Sequence, residues 1–152
     1  MNENLIIKEA AIEDSEKIGE VFDLYRQFYK KEPDKALSVK YIKERLSKKE
    51  SIIFFAEANN ICMGIVQLYI TFDSLELDKK IILYDLFVKS EYRKKGIGTM
   101  LMNTSKDFAE KNNISGIELS TAMTNSTAQS LYESLGYERD NEYYNYYLSI
   151  KK

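Results

Sequence analysis

Along the 152-residue chain the spacing of apolar positions changes several times, and each change marks an element. Residues 5–9 alternate weakly and predict a first strand. From about Asp14, the residues Ile18, Val21, Phe22 and Tyr25 recur at helical spacing, which predicts one apolar stripe on a first helix. Pro33, the only proline, stands in a charged break before a second helix lined by Leu37, Tyr41, Ile42 and Leu46. Residues 51–57 and 62–72 are β-branched and aromatic, and Asn59-Asn60 between them suits a hairpin turn. Residues 73–80 read as a polar connection, and residues 81–88 are the nearly continuous apolar run expected of a central strand.

After a basic, glycine-bearing turn, Ile97, Leu101 and Phe108 predict a third helix that ends near Asn112-Asn113. Residues 117–121 read as a fifth strand. Asn125 is suited to cap a short fourth helix carrying Ala128, Leu131 and Leu135, with Gly136 as the left-handed residue that closes it. Two last strands are expected over residues 137–139 and 143–150, turning at Asp140-Asn141. The order β-α-α-β-β-β-α-β-α-β-β predicts an α/β fold, a mixed sheet with helices packed on it. Without a repeat, a low-complexity segment or a linker, residues 1–152 read as one domain.

Composition narrows the chemistry. Hydrophobic residues at 44% and charged residues at 30% fit a soluble globular protein rather than disorder. A net charge of −2 supplies no basic field, which argues against nucleic acid as a partner. No apolar run approaches the roughly 20 residues that span a bilayer, and no basic-then-apolar leader follows Met1. One cysteine cannot close an intrachain disulfide. A cytoplasmic protein away from membranes is the expectation. Histidine is missing altogether, which removes the commonest general base and metal ligand, and with it any Ser-His or Cys-His nucleophile. No metal site is expected, and Cys62 beside the hairpin turn reads as a small buried hydrophobe.

The turn Arg93-Lys94-Lys95-Gly96-Ile97-Gly98 lies where a buried strand runs into a helix. The first N–H groups of a helix lack internal partners, and the helix dipole favours negative charge there. Glycines 96 and 98 let the backbone approach an anion without a Cβ in the way, while the three cations add charge on the approach. No Gly-Lys-Ser/Thr follows, so this is not a nucleotide P-loop, and the third glycine of a dinucleotide fingerprint is missing.

The segment from Asp85 through Gly98 strongly resembles the coenzyme A segment of the GNAT superfamily of N-acetyltransferases, whose core is Arg/Gln-x-x-Gly-x-Gly/Ala after strand four. Asn125-Ser126-Thr127-Ala128-Gln129-Ser130-Leu131-Tyr132-Glu133-Ser134-Leu135-Gly136-Tyr137 resembles that family's second motif, Asn-x-x-Ala-x-x-Leu-Tyr-x-x-x-Gly-Phe/Tyr. Both stand in the family's order, and the resemblance covers nearly the whole chain. It implies a mostly antiparallel mixed sheet with helices on both faces and strands four and five splayed apart. It implies acetyl-coenzyme A as co-substrate, with the pantetheine arm against the backbone of Leu86, Phe87 and Val88. The pyrophosphate would lie on Arg93, Lys94, Lys95, Gly96, Ile97, Gly98 and Thr99, with Asn125, Ala128 and Tyr132 completing the cofactor site. A bulge in strand four would present an amide to the thioester oxygen. The amine would attack directly, without an acyl-enzyme, and Tyr132 would donate a proton to the departing thiolate.

In the diamine and spermidine acetyltransferases, which the layout is most similar to, a glutamate often precedes the strand-four aspartate; here Tyr84 stands there. Asp85 remains as a base, although strand alternation points it away from Tyr84, and a water chain to Glu118 or a loop carboxylate is equally open. The acceptor regions implied by the family hold Tyr25, Tyr29, Glu32, Asp34, Asp73, Glu76, Asp78, Tyr84, Tyr143 and Tyr144, a set that suits a cationic amine. The leading expectation is acetylation of a small primary amine. A protein lysine or N-terminus as acceptor, and a non-catalytic coenzyme A-binding module, are the alternatives. A homodimer through the aromatic C-terminal strand is an expectation by analogy.

Overall fold

The computed structural model describes residues 4–151. Its chain divides into two compact units, a larger one ending at Ser120 and a smaller one beginning at Thr121. The larger unit runs β1 (Ile6–Glu9), α1 (Ser15–Phe28), α2 (Lys35–Ser47), β2 (Ile52–Ala58), β3 (Ile61–Asp73), β4 (Asp78–Val88), α3 (Ile97–Lys111) and β5 (Ile117–Glu118). The five strands lie in chain order, with antiparallel neighbours from β1 to β4 and parallel pairing of β4 with β5. This is the mixed, mostly antiparallel sheet expected.

Local chemistry explains the hairpins. Asn59 and Asn60 both take left-handed backbone, with φ of 52° and 62°, which matches the twist of the flanking strands in a two-residue turn. The β3–β4 hairpin is longer than its polar sequence suggests, because pairing continues through Thr71↔Lys80, Phe72↔Lys79 and Asp73↔Asp78. The connection shrinks to residues 74–77. Exposed strand ends need backbone pairing and not apolar side chains, so the hydrophobic pattern understated the strand.

β2 is buried on both faces, and helices cover each. Ile53 and Phe55 join Ile65 of β3, Ile18 and Val21 of α1, and Ile42 of α2 in one cluster. Phe54 points the other way and meets Phe108 of α3 edge-on, with ring centroids 5.8 Å apart. Each large buried side chain contributes about 1.5–3 kcal/mol.

Two features bind α1 to α2. A Cβ built on Gly19 would stand 2.6 Å from the Cα of Val39, so the helices meet where only glycine fits. Four residues on, the buried Asp23 carboxylate accepts from the Asp34 N–H at 3.0 Å, Ser38 Oγ at 2.9 Å, Gln27 Nε2 at 3.0 Å and Arg26 Nη1 at 3.1 Å. Burial pushes this carboxyl up, but the four donors outweigh it and hold it below the ordinary aspartate range. Its stabilising contribution is therefore present above the unfolded-state pKa and is lost as pH falls through the lowered folded value.

In the smaller unit Asn125 accepts from the Ala128 N–H at 3.1 Å and opens α4 (Ser126–Ser134). Gly136, at φ 91°, closes it. The two final strands are not formed: residues 137–151 hold neither helix nor strand. Strand preference expresses packing and pairing against neighbours, and this unit contains no ladder among its described residues. The turn chemistry at Asp140 is present, since its Oδ1 accepts from the Glu142 N–H at 2.8 Å.

Gly19→Ala should lower stability by about 1–3 kcal/mol, the usual cost of overpacking, despite alanine's better helix propensity. Chemical denaturation checks this, with an unchanged m-value expected.

Candidate functional site

Strand β4 carries an irregularity. Leu68 of β3 pairs with Leu83, but the next residue, Gln67, pairs with Asp85, so Tyr84 is an extra residue in β4. Such a bulge re-aims side chains. The Tyr84 ring lies edge-on to Tyr69, 5.6 Å between centroids, while Asp85 binds Gln67. Gln67 and Tyr69 are two apart on one strand and share a face. Tyr84 and Asp85 are thus both turned toward the side covered by α1 and α2, and the expected opposition of the two is corrected by the bulge. They differ in exposure: Tyr84 is 66% exposed, Asp85 6%. On the other edge of β4, pairing with β5 is confined to Ile81 and Ile82, so residues 83–88 have no strand partner there among the described residues.

Asp85 closes a buried polar chain. Ser51 Oγ donates to Gln67 Oε1 at 2.8 Å, and Gln67 Nε2 donates to Asp85 Oδ2 at 2.8 Å. The Tyr25 hydroxyl donates to the Tyr84 carbonyl oxygen at 3.5 Å, at the peptide that joins Tyr84 to Asp85. Burial pushes the Asp85 carboxyl above the usual range, and the Gln67 and Tyr25 hydrogen bonds pull partly back. No ion pair among the described residues reaches it. Ser51 and Gln67 escaped the sequence reading; the signal was a glutamine inside the apolar run Ile65-Val66-Gln67-Leu68.

Around Asp85 stands an aromatic wall. Tyr25 meets Tyr29 at 5.2 Å and Phe87 at 5.9 Å, and Phe28 meets Tyr29 at 5.3 Å. The Tyr41 and Tyr69 hydroxyls are 2.9 Å apart, with the Arg45 guanidinium 4.5 Å from the Tyr41 ring centre. Tyr25, Tyr29 and Tyr84 are thus brought together. The expected carboxylates are not. Asp73 stands six residues along β3 from Gln67, about 20 Å at strand spacing. Together with Asp78 it lines an open depression of about 550 Å³ at the far end of the hairpin. Asp34 caps α2 through the Leu37 N–H, and Glu118 is paired with Lys80 at 3.1 Å.

β4 ends at Leu86, Phe87 and Val88 and feeds the basic turn. Gly96 has φ 81° and opens α3, and a Cβ there would meet nothing within 4 Å, so the space before the helix is clear. Lys94 also takes left-handed backbone, φ 63°. Arg93 folds back: its Nε donates to the Val88 carbonyl at 2.8 Å, and its guanidinium lies 5.2 Å from the Phe87 ring centre. It braces the turn, leaving Lys94 and Lys95 exposed beside it. The Ile97 side chain is buried in the core, so only its backbone faces the turn. Gly98 and Thr99 lie in the first turn of α3. In the smaller unit Asn125 caps α4, Ala128 and Tyr132 lie on it, and the Tyr132 ring stands 6.1 Å from that of Tyr137. Cys62 is buried, with its thiol pushed up to about 12 by desolvation.

Similarity to known proteins identifies the class to which this fold belongs. The acetyltransferase (GNAT) family model matches residues 18–137. An uncharacterized N-acetyltransferase, YhfO of Bacillus subtilis, is 38% identical over 144 residues, 95% of this chain and 97% of that protein. A crystal structure of a probable acetyltransferase superposes with a TM-score of 0.91 at 34% identity, covering 97% of this chain and 99% of that one. A Clostridium acetobutylicum structure described as a predicted acetyltransferase with acetyl-CoA shares the fold, at a TM-score of 0.77 and 16% identity, over 94% and 96% of the two chains. The chain belongs to the GNAT family of N-acetyltransferases.

The high thiol pKa has a direct consequence. A disulfide-exchange reagent at pH 8 should label Cys62 in the native protein only at the rate of global or local opening, and at once in denaturant.

Proposed function

We propose that this chain transfers an acetyl group from acetyl-coenzyme A to the primary amine of a small molecule, by direct attack within a ternary complex. The observation that carries the reading is the buried Asp85 carboxyl, without an ion pair among the described residues, beneath the wall of Tyr25, Tyr29 and Tyr84. Aromatic faces attract an ammonium group, and a nearby carboxylate can take its proton. The donor side is supported by family membership and by the Clostridium relative solved with acetyl-CoA. Lys94 and Lys95, the clear approach at Gly96 and the first amides of α3 at Gly98 and Thr99 suit a pyrophosphate. The edge of β4 at Leu86, Phe87 and Val88, without a strand partner among the described residues, offers backbone groups to an extended amide chain such as pantetheine. An amide near the Tyr84 bulge is the candidate donor to the developing oxyanion.

Asn125, Ala128 and Tyr132 of α4 are the residues that the resemblance of their motif assigns to coenzyme A, and in this reading Tyr132 protonates the leaving thiolate. A phenol near pKa 10 facing a thiol near 8.5 makes that transfer uphill by about 2 kcal/mol, an amount that a hydrogen bond offsets.

Mass spectrometry after incubation with acetyl-CoA and a panel of polyamines, aromatic amines, aminoglycosides and lysine peptides tests the reading. A one-acetyl gain on small amines is expected, whereas acetylation of peptides alone, or turnover of none, would contradict it. Tyr132→Phe should lower kcat about 100-fold. Lys94→Ala with Lys95→Ala should weaken coenzyme A binding about tenfold in calorimetry, less so at high salt.

A further inference from the structure

Asp85 is held more deliberately than a carboxylate at a strand bulge requires. The Ser51 hydroxyl donates to Gln67 Oε1, which fixes the glutamine amide with Nε2 toward Asp85. Gln67 is 1% exposed and Ser51 7%, so this orientation is set inside the protein, without competing water. The amide N–H occupies Asp85 Oδ2 and cannot accept a proton, so an incoming proton is directed to the other carboxylate oxygen. Beside it stands Tyr25, half-buried on α1, whose hydroxyl lies 3.5 Å from the Tyr84 carbonyl oxygen, next to Asp85, and favours its charged form, and whose ring belongs to the aromatic wall.

We infer that Ser51, Gln67, Asp85 and Tyr25 form a proton-accepting relay, in which Asp85 receives the acceptor amine's proton through the Tyr25 hydroxyl and Gln67 is the positioning residue. This rests on the proposed amine acetylation. The amine arrives as an ammonium. One N–H bond breaks as its proton passes to the Tyr25 oxygen, while the Tyr25 O–H proton passes to Asp85. The products are a neutral amine, an unchanged phenol and a protonated carboxyl. The amine lone pair then forms the C–N bond to the thioester carbonyl carbon. When the C–S bond breaks, the nitrogen's second proton ends on the sulfur, and Asp85 returns its proton to water.

The electrostatic surroundings agree. Asp85 is bound by Gln67 of β3 and neighboured by Tyr25 of α1, and its charge reaches Tyr69 of β3, against which stand Tyr41 and Arg45 of α2 and Tyr84 of its own strand. Tyr41 and Tyr69 bind each other, and Arg45 is paired with Glu50 at 3.1 Å and Glu44 at 3.4 Å. Burial thus acts on Asp85 without an ion pair among the described residues and raises its proton affinity. The Gln67 hydrogen bond favours the charged form, so its loss raises the Asp85 pKa further.

The test has two readouts. In protein labelled with ¹³C at the aspartate carboxyls, with Asp85→Asn for assignment, Asp85 should titrate above the ordinary aspartate value of about 3.9. Gln67→Leu should move that titration further up, and the milder Ser51→Ala should move it the same way by less. With tyramine and spermidine as acceptors, the acid limb of the kcat profile should shift to higher pH in Gln67→Leu and Ser51→Ala, with the alkaline plateau retained. Tyr25→Phe should lower kcat about 100-fold with KM for acetyl-CoA unchanged. An Asp85 titration in the ordinary range, or an acid limb that stays in place while the Asp85 titration moves, overturns the relay. A wild-type protein inactive on every amine contradicts the acceptor reading instead, a separate failure.

Discussion

The architecture of the site depends on one backbone constraint, the extra residue at Tyr84 in β4. A regular ladder would alternate Leu83, Tyr84 and Asp85 across the two faces of the sheet. With Tyr84 unpaired, the alternation is broken, and Tyr84 and Asp85 meet partners two residues apart on β3. The same slip brings the Tyr84 carbonyl within reach of the Tyr25 hydroxyl on α1. A single register shift thus joins an exposed tyrosine, a buried carboxyl and the first helix in one site. The close approach of α1 to α2 at Gly19, with Asp23 beneath it, holds that helix pair together.

A second constraint acts further along the same strand. Pairing with β5 ends at Ile82, so the last six residues of β4 keep one edge unpaired among the described residues. The strand then runs into a turn whose left-handed Lys94 and Gly96 aim the start of α3 at open space. Arg93 secures that arrangement by closing onto the Val88 carbonyl and the Phe87 ring. A cation read as part of an anion cradle is therefore also a brace, and an arginine suits both roles because its planar fork can bond and stack at once.

Much of this was legible in the residues. Asn59-Asn60, the stripe on α1, the Asn125 cap and Gly136 act through local chemistry, and each appears where its pattern placed it. The glycine turn was readable for the same reason. What the residues hid was non-local. Nothing in Leu83-Tyr84-Asp85 announces a bulge, because the slip is defined by pairing with β3. Gln67 and Ser51 are 16 positions apart, and only the β2–β3 register makes them neighbours of each other. The hairpin's polar end carries no strand pattern in its side chains, since the pairing there is made by the backbone. Residues 137–151 erred the other way: a tyrosine-rich composition suggested strands that a ladder does not supply.

We propose that the edge of β4 beyond Ile82, unpaired among the described residues, together with the turn at Gly96, is where the acetyl donor binds. Residue-resolved amide hydrogen exchange, with and without coenzyme A, tests it most directly. In the free protein the amides of residues 83–88 that lie outside the β3 ladder should exchange quickly, as should those of residues 96–99. Coenzyme A should slow both groups and leave residues 78–82 unchanged. No slowing at these amides at saturating coenzyme A would contradict the account.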